Sequence, residues 1–203
     1  SVSDGIVVDT VVAKGGNGAN IYNYTNVDPN PSADGNLHSP VNSSGKYANL
    51  SHIDICFHYQ LTASKAAATS YIRTYTWDIS KSADPSSHVG FAGDTFTSDY
   101  AVNVDRTVTD SDFVVAGAIT VNNPTPFTVD FSVSDSVDGV AATVICPTSS
   151  LAPGKSTTCT YTADMGDVDP GDGTNVATVT STTANVEGTT ASAAYTFGDP
   201  TEI

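Results

Sequence analysis

The chain has 203 residues, enough for one large or two small domains, and its 7 basic and 22 acidic residues give a formal net charge of −15. Such a charge repels nucleic acid phosphates and anionic membrane surfaces, which excludes nucleic acid as a partner, and no run approaches the roughly 20 apolar residues of a membrane span. Because only 14% of residues are charged and Val and Thr are abundant, the composition disfavours long helices and predicts an all-β protein.

Residues 1–65 are predicted to form a small N-terminal β module. Alternating or β-branched runs predict three strands, at residues 6–13, 20–25 and 53–59, with a loop rich in Pro, Asn and Gly at residues 28–46. Three strands cannot cover both of their faces, so this sheet needs a neighbour, and the module is either incomplete or shares a strand. Residues 1–12 are the candidate for a strand donated to another chain.

Cys56 lies in the third predicted strand, between Ile55 and Phe57. That position favours a buried cysteine that acts as a small hydrophobic residue. The alternative is a disulfide partner in another segment or another chain.

Residues 66–203 are predicted to form an antiparallel β-sandwich. Residues 62–69 are small and polar, and form either a linker or the lead into the next strand. Strand patterns then recur between Pro- and Gly-containing turns, as is typical of two packed sheets. Eight strands are expected, at residues 71–81, 94–106, 113–122, 128–134, 142–146, 156–162, 175–182 and 191–197.

Cys146 and Cys159 lie in two β-rich runs that flank the turn at residues 151–154. A hairpin there brings the two thiols together, so we predict a disulfide. Because cytosolic thiols are kept reduced, this disulfide predicts a secreted, extracellular protein. Closing a loop of this size stabilises a fold by about 3 kcal/mol in the chain-entropy account.

Two segments carry a family resemblance. The motifs of residues 71–183 are Tyr75-Thr-Trp-Asp-Ile-Ser-Lys, Gly93-Asp-Thr-Phe, Gly117-Ala-Ile-Thr-Val-Asn-Asn-Pro, Leu151-Ala-Pro-Gly-Lys-Ser-Thr-Thr-Cys-Thr-Tyr and Asn175-Val-Ala-Thr-Val. They resemble the immunoglobulin-like repeats of secreted and surface-anchored bacterial and archaeal proteins. Residues 11–56, with Val11-Val-Ala-Lys-Gly-Gly-Asn-Gly, Leu37-His-Ser-Pro and Leu50-Ser-His-Ile-Asp-Ile-Cys, resemble the module that often precedes such a repeat. The resemblance implies stalks, adhesins and fibrous assemblies rather than one activity.

The resemblance also implies a covalent cross-link. Surface repeats of this kind sometimes join a lysine on an early strand to an asparagine on the last strand through an isopeptide bond. Lys81 and Asn175 are the candidate pair, with Asp135 as the proton relay. The reaction needs a neutral amine in an apolar core, where burial lowers the pKa of a lysine. The alternative is that Lys81 lies on the sheet surface, as most lysines do.

Two further kinds of site are candidates. Four carboxylates in a Gly-containing loop offer the oxygen ligands that Ca²⁺ prefers, although the same loop is also typical of an ordinary turn; they are Asp164, Asp167, Asp169 and Asp172. Three glycosylation sequons begin at Asn23, Asn42 and Asn49.

The chain has no Gly-x-Ser-x-Gly elbow, no His-Glu-x-x-His and no phosphate-binding glycine loop, so we predict that it is not an enzyme. Calcium is the one cofactor that the sequence suggests. As a whole, the sequence predicts an extracellular structural protein. It would be a subunit or stalk segment of a pilus-like surface filament that self-associates into a homopolymer by strand sharing. The alternatives are an adhesin that binds a glycan or a cell-surface protein, and a noncatalytic domain of a secreted hydrolase.

Overall fold

A computed structural model describes residues 5–25 and 33–203. Within these ranges the chain forms strands and no helix, so the all-β prediction is confirmed. Accordingly, the described part of the chain contains no helix that is long and apolar enough to cross a membrane. Residues 28–32 of the predicted loop and residues 1–4 of the predicted donor strand lie outside the described residues.

The described ranges contain fourteen strands, which build three sheets. In chain order they are β1 (Ile6–Gly15), β2 (Gly18–Asn23), β3 (Leu50–Gln60), β4 (Thr62–Asp84), β5 (Asp99–Asn122), β6 (Val129–Val137), β7 (Val140–Ala141), β8 (Thr143–Ile145), β9 (Ser150–Leu151), β10 (Ser156–Gly166), β11 (Gly173–Ser181), β12 (Val186–Glu187), β13 (Thr189–Tyr195) and β14 (Thr201–Glu202).

The first sheet has the order β12-β3-β1-β2. A tight turn joins β1 to β2, and Gly16 in this turn has a φ of 61°, a conformation that favours glycine. The predicted donor strand is therefore the central strand of a sheet in its own chain, because β1 pairs with β2 on one side and with β3 on the other. The described part of that strand, residues 6–12, is not available for donation in this arrangement.

The second sheet has the order β14-β4-β5-β10-β8, and the third has the order β13-β11-β6-β7 with β9 paired to β6. Their inward side chains alternate with exposed ones and form one apolar core, as expected for strands with one buried face. Its fully or nearly fully buried members include Leu61, Val115, Ile119, Val121, Val129, Phe131, Val137, Tyr161, Ala163, Ala177, Val179 and Tyr195. The arrangement is consistent with a β-sandwich, while the immunoglobulin-like topology remains a prediction.

Two strands are much longer than the sequence predicted. Residues 62–69 belong to β4, so the expected domain boundary after residue 65 falls inside this strand. The strands expected at residues 94–106 and 113–122 form one strand, β5, in which Asp112 adopts a φ of 54°. The left-handed residue coincides with an irregularity in the ladder: the register with β4 shifts between Ser70 and Ile72, and pairing continues on both sides of the shift.

The predicted disulfide between Cys146 and Cys159 is confirmed. Cys159 is a buried residue of β10, and the bond joins it to the residue that follows β8 on the neighbouring edge of the second sheet. The expected burial of Cys56 is wrong: its thiol is not in a disulfide and the residue is exposed. The reason is that residues 50–57 of β3 are exposed on both faces of the first sheet.

Candidate functional site

Three polar side chains occupy inward positions of the sandwich, where the alternation of the strands calls for apolar residues. On β4, Lys65 lies between Ala63 and Ala67, which both pack against the core. Asp135 takes an inward position on β6 and Asn175 takes one on β11, the strand that pairs with β6. Lys65 therefore reaches from the second sheet toward two neighbouring strands of the third.

The three side chains meet at one carboxylate oxygen. Lys65 Nζ lies 2.6 Å from Asp135 Oδ2, and both side chains are fully buried. The amide nitrogen of Asn175 donates a hydrogen bond of 3.2 Å to the same Oδ2 atom, and Asn175 is fully buried as well. One oxygen of Asp135 thus contacts both the amine of the lysine and the amide nitrogen of the asparagine.

An aromatic ring and a glycine shape the space around the lysine. Lys65 Nζ lies 3.4 Å from the ring centroid of Tyr161, whose hydroxyl donates a hydrogen bond of 3.0 Å to the carbonyl oxygen of Ala66. Gly117 makes this approach sterically feasible, since a Cβ there would lie 2.1 Å from that same carbonyl oxygen and 3.0 Å from Tyr161 Cε1. The cation–π contact and the buried phenol hold the amine in place.

The burial of the site makes it easier for the amine of Lys65 to lose its proton than for the amine of an exposed lysine. Burial lowers the pKa of Lys65, against the opposing hydrogen bond and charge of Asp135. Burial also raises the pKa of Tyr161, which keeps its hydroxyl a donor. Among the described residues, the buried side-chain oxygens that receive no hydrogen bond are Oδ1 of Asp135 and Oδ1 of Asn175. Each such acceptor costs about 1–3 kcal/mol, so the unreacted site is energetically unfavourable.

This arrangement can support one of two roles. A buried lysine and aspartate can form a structural ion pair, which often adds little net stability because both charges lose their hydration. Alternatively, a neutral amine beside a carboxamide can act as a nucleophile toward the amide carbon, with the carboxylate moving the proton. The second role uses the contact of Asp135 with Asn175, which an ion pair does not need.

The structure brings Asp135 and Asn175 together as the resemblance suggested, but it does not bring Lys81 to them. Lys81 is an exposed residue near the far end of β4, opposite Val102, and its Nζ lies 4.7 Å from the ring centroid of Tyr100. Lys65, rather than the predicted Lys81, is the lysine that lies beside Asp135 and Asn175. Lys65 does not stand out in the sequence, because the small, polar residues 62–69 fit a linker as well as the lead into a strand. The alternation of Ala63, Lys65 and Ala67 is the signal that could have identified it.

The predicted calcium ligands are not gathered around one point. Each of the four carboxylates instead accepts a hydrogen bond from a backbone N–H: Asp164 from Gly166, Asp167 from Asp112, Asp169 from Gly171 and Asp172 from Phe197. No group of three or more His, Cys, Asp or Glu side chains is placed to hold a metal ion in residues 5–25 and 33–203. The structure therefore gives no support to the predicted calcium site, and these aspartates instead satisfy the backbone of turns and strand ends.

The three predicted glycosylation sites are exposed, at Asn23, Asn42 and Asn49. Side-chain oxygens of Asn23 and Asn42 each accept a hydrogen bond from the backbone two residues further on, as in ordinary Asx turns. Modification of these side chains remains a prediction.

No family model, curated protein or solved structure matches the chain. The function is therefore argued from the site and from the surfaces of the sheets.

Proposed function

We propose that the chain is an extracellular structural protein, a subunit or stalk segment of a surface filament, whose sandwich is closed by an isopeptide bond between Lys65 and Asn175. The observation that supports this most directly is the contact of Asp135 Oδ2 with Lys65 Nζ at 2.6 Å and with Asn175 Nδ2 at 3.2 Å. The disulfide between Cys146 and Cys159 supports the extracellular setting, because such bonds persist where thiols are oxidised.

The reaction needs no group beyond the three side chains. Asp135 takes a proton from the ammonium of Lys65, and the lone pair of Nζ then attacks the amide carbon Cγ of Asn175. In the tetrahedral intermediate Asp135 gives this proton to Nδ2 and takes a second proton from Nζ, and the Cγ–Nδ2 bond then breaks. A C–N bond has formed and another has broken, and the nitrogen of Asn175 leaves as ammonia. Asp135 passes the second proton to this ammonia, which departs as ammonium, and the carboxylate returns to its starting state. A relay by one oxygen requires that it touch both nitrogens, as Oδ2 does.

The reaction occurs once and leaves a permanent bond within the protein instead of converting a substrate repeatedly. Such a bond suits a structural role. Lys65 lies in the second sheet and Asn175 in the third, so the bond ties the two layers of the sandwich together. The disulfide instead ties two neighbouring segments within the second sheet. Two bonds in different directions resist both the separation of the sheets and the peeling of an edge.

Intact-mass measurement of the denatured, reduced full chain tests the proposal. We expect the wild type to lack the mass of one ammonia, and a protease digest to contain a peptide pair joined at Lys65 and Asn175. Lys65→Arg and Asp135→Asn should both show the full mass, whereas the control Lys81→Arg should still lack one ammonia. A folded wild-type chain that keeps its full mass would contradict the proposal, and near-ultraviolet circular dichroism establishes that each variant is folded.

A further inference from the structure

The side chain of Tyr161 crosses the strand that separates it from the buried lysine. Tyr161 on β10 is paired with Gly117 on β5, and Gly117 is paired in turn with Ala67 on β4. Directly opposed residues share a face of a sheet, so these three residues all point into the sandwich. β10 and β4 are two strand spacings apart, or about 10 Å. The ring can span that gap because a Cβ at Gly117 would lie only 3.0 Å from Tyr161 Cε1.

The ring of Tyr161 contacts the nucleophile of the proposed reaction. Its centroid lies 3.4 Å from Lys65 Nζ, and Tyr161 is 1% exposed. A lysine side chain is a flexible four-carbon stem, and it loses most of its rotamer freedom when it is packed against a rigid group. The ring therefore restricts Nζ to the neighbourhood of Asp135 Oδ2, which lies 2.6 Å away.

The hydroxyl of Tyr161 contacts both sides of the same site. It donates a hydrogen bond of 3.0 Å to the carbonyl oxygen of Ala66, the residue that follows Lys65 on β4. Burial raises the pKa of Tyr161, and a hydrogen bond with the side chain of Asn175 opposes that rise. A phenol oxygen can accept one hydrogen bond while it donates another. Tyr161 thus contacts the strand of the lysine and the amide that the lysine would attack.

A ring that only filled the core would need neither of these polar contacts. The apolar body of a tyrosine accounts for packing, whereas its hydroxyl needs no more than one partner to be satisfied. Here the ring lies against the amine of Lys65, and the hydroxyl reaches Ala66 and Asn175. All of these contacts are with the two strands that the isopeptide bond would join.

We propose that Tyr161 is a positioning residue for the cross-link, holding the amine of Lys65 and the amide of Asn175 in the arrangement in which Nζ reaches Cγ. The inference rests on the proposed cross-link and deepens it by adding a residue that neither forms nor breaks a bond. Groups held in a reactive geometry react faster, and a misplacement of about 1 Å can cost about a hundredfold in rate. Tyr161 therefore acts on the rate at which the bond forms.

The rate of cross-linking in the full chain tests the proposal. The chain is made by cell-free synthesis under oxidising conditions, and a translation inhibitor stops synthesis at time zero. The intact mass of samples denatured at intervals gives the fraction that lacks one ammonia. We expect Tyr161→Leu, which removes both ring and hydroxyl, to cross-link at least about tenfold more slowly than the wild type. Tyr161→Phe restores the ring without the hydroxyl, so it should react faster than Tyr161→Leu and at least about threefold more slowly than the wild type.

A matched control separates positioning from a general loss of packing. Phe131→Leu removes another buried ring from the same core, on the strand that carries Asp135 but four residues before it. It should cost stability as a large-to-small core substitution does and still cross-link at the wild-type rate. Near-ultraviolet circular dichroism establishes that each variant is folded.

Two results would overturn the role of Tyr161: a Tyr161→Leu chain that cross-links within about twofold of the wild-type rate, or a Phe131→Leu chain that is slowed as much as Tyr161→Leu. If Tyr161→Leu does not fold, Tyr161→Phe decides, because it keeps the shape of the core, and a wild-type rate in this variant would overturn the role as well. A wild-type chain that never loses ammonia contradicts the cross-link itself. Equal rates in a wild type and variants that do lose ammonia contradict only the role of Tyr161.

Discussion

Replacing the whole buried cluster by apolar residues distinguishes a cross-link from an ion pair. The change is the triple variant Lys65→Met, Asp135→Leu and Asn175→Leu, which removes all three polar groups at once. If the cluster were only a buried ion pair, apolar replacement should be neutral or should stabilise the protein by about 1–4 kcal/mol, less some cost of imperfect packing. An ion-pair role therefore predicts little loss of stability.

An isopeptide bond predicts the opposite result. It would close a loop from residue 65 to residue 175, and a cross-link around a loop of roughly a hundred residues stabilises by about 5 kcal/mol in the chain-entropy account. For a chain of about this size each kcal/mol corresponds to roughly 2–4 °C in Tm, so we expect the triple variant to melt about 10–20 °C below the wild type.

Differential scanning calorimetry of the oxidised proteins measures this difference, with the disulfide kept intact in both. The matched control is Lys81→Met, which removes a lysine from the same strand outside the sandwich and should leave the melting temperature within a few degrees of the wild type. A triple variant that melts at or above the wild-type temperature would refute the cross-link.

Three further predictions follow from single features of the sandwich. Replacing Cys146 and Cys159 by alanine opens a loop with a sequence separation of 13 and should cost about 3 kcal/mol, measured by urea denaturation. Gly117→Ala places a Cβ 2.1 Å from a backbone oxygen of β4 and should destabilise by about 1–3 kcal/mol or more, whereas Gly198→Ala, with no atom within 4 Å, should be close to neutral in the same assay. In Asn175→Ala the buried lysine keeps its amine, and burial lowers its pKa below the ordinary 10.5. The unfolded chain then binds more protons than the folded chain between these two pKa values, so the stability of this variant should rise with pH up to about 10.5. The cross-linked wild type should lack that rise in denaturation measured at a series of pH values, because its lysine is an amide.

The sequence predicted features that depend on local patterns. Alternating β-branched runs predicted most of the strands, because one buried face imposes a period of two. The Cys146–Cys159 disulfide was predicted as well, but the route between its ends was not. β8 and β10 do pair next to the bond, whereas the residues between them pass through β9, which pairs with β6 in the third sheet rather than completing a simple hairpin. Asp135 and Asn175 stand out in such a pattern as polar residues at inward positions of strands that are otherwise apolar on that face.

Features that depend on distant partners were not predictable. Residues 62–69 consist of small residues with little β-propensity, and their pairing with β5 makes them a strand. Strands were predicted at residues 71–81 and 94–106, but their continuity with strands of the sandwich was not, because Asp112 takes a left-handed conformation, usual in turns, inside one strand. The aspartates at residues 164–172 resembled metal ligands in sequence, but their hydrogen bonds to local and distant backbone groups are set by the fold. In each case the deciding contact is with a residue far along the chain or with the backbone.

Lys65 and the far end of the β4–β5 hairpin lie on one strand, which gives the cross-link a mechanical consequence. β4 carries Lys65 within the sandwich and continues to Asp84, past Ile72 and Arg73, where it pairs with β14. Tension applied at the Asp84 end would therefore run along β4 and break its hydrogen bonds to β5 one after another from that end inward. An isopeptide bond at Lys65 would stop that peeling and pass the load to β11 in the opposite sheet. On this basis single-molecule pulling at the Asp84 end of β4 should extend the wild type only to residue 65, whereas Asp135→Asn should allow β4 to be extracted further.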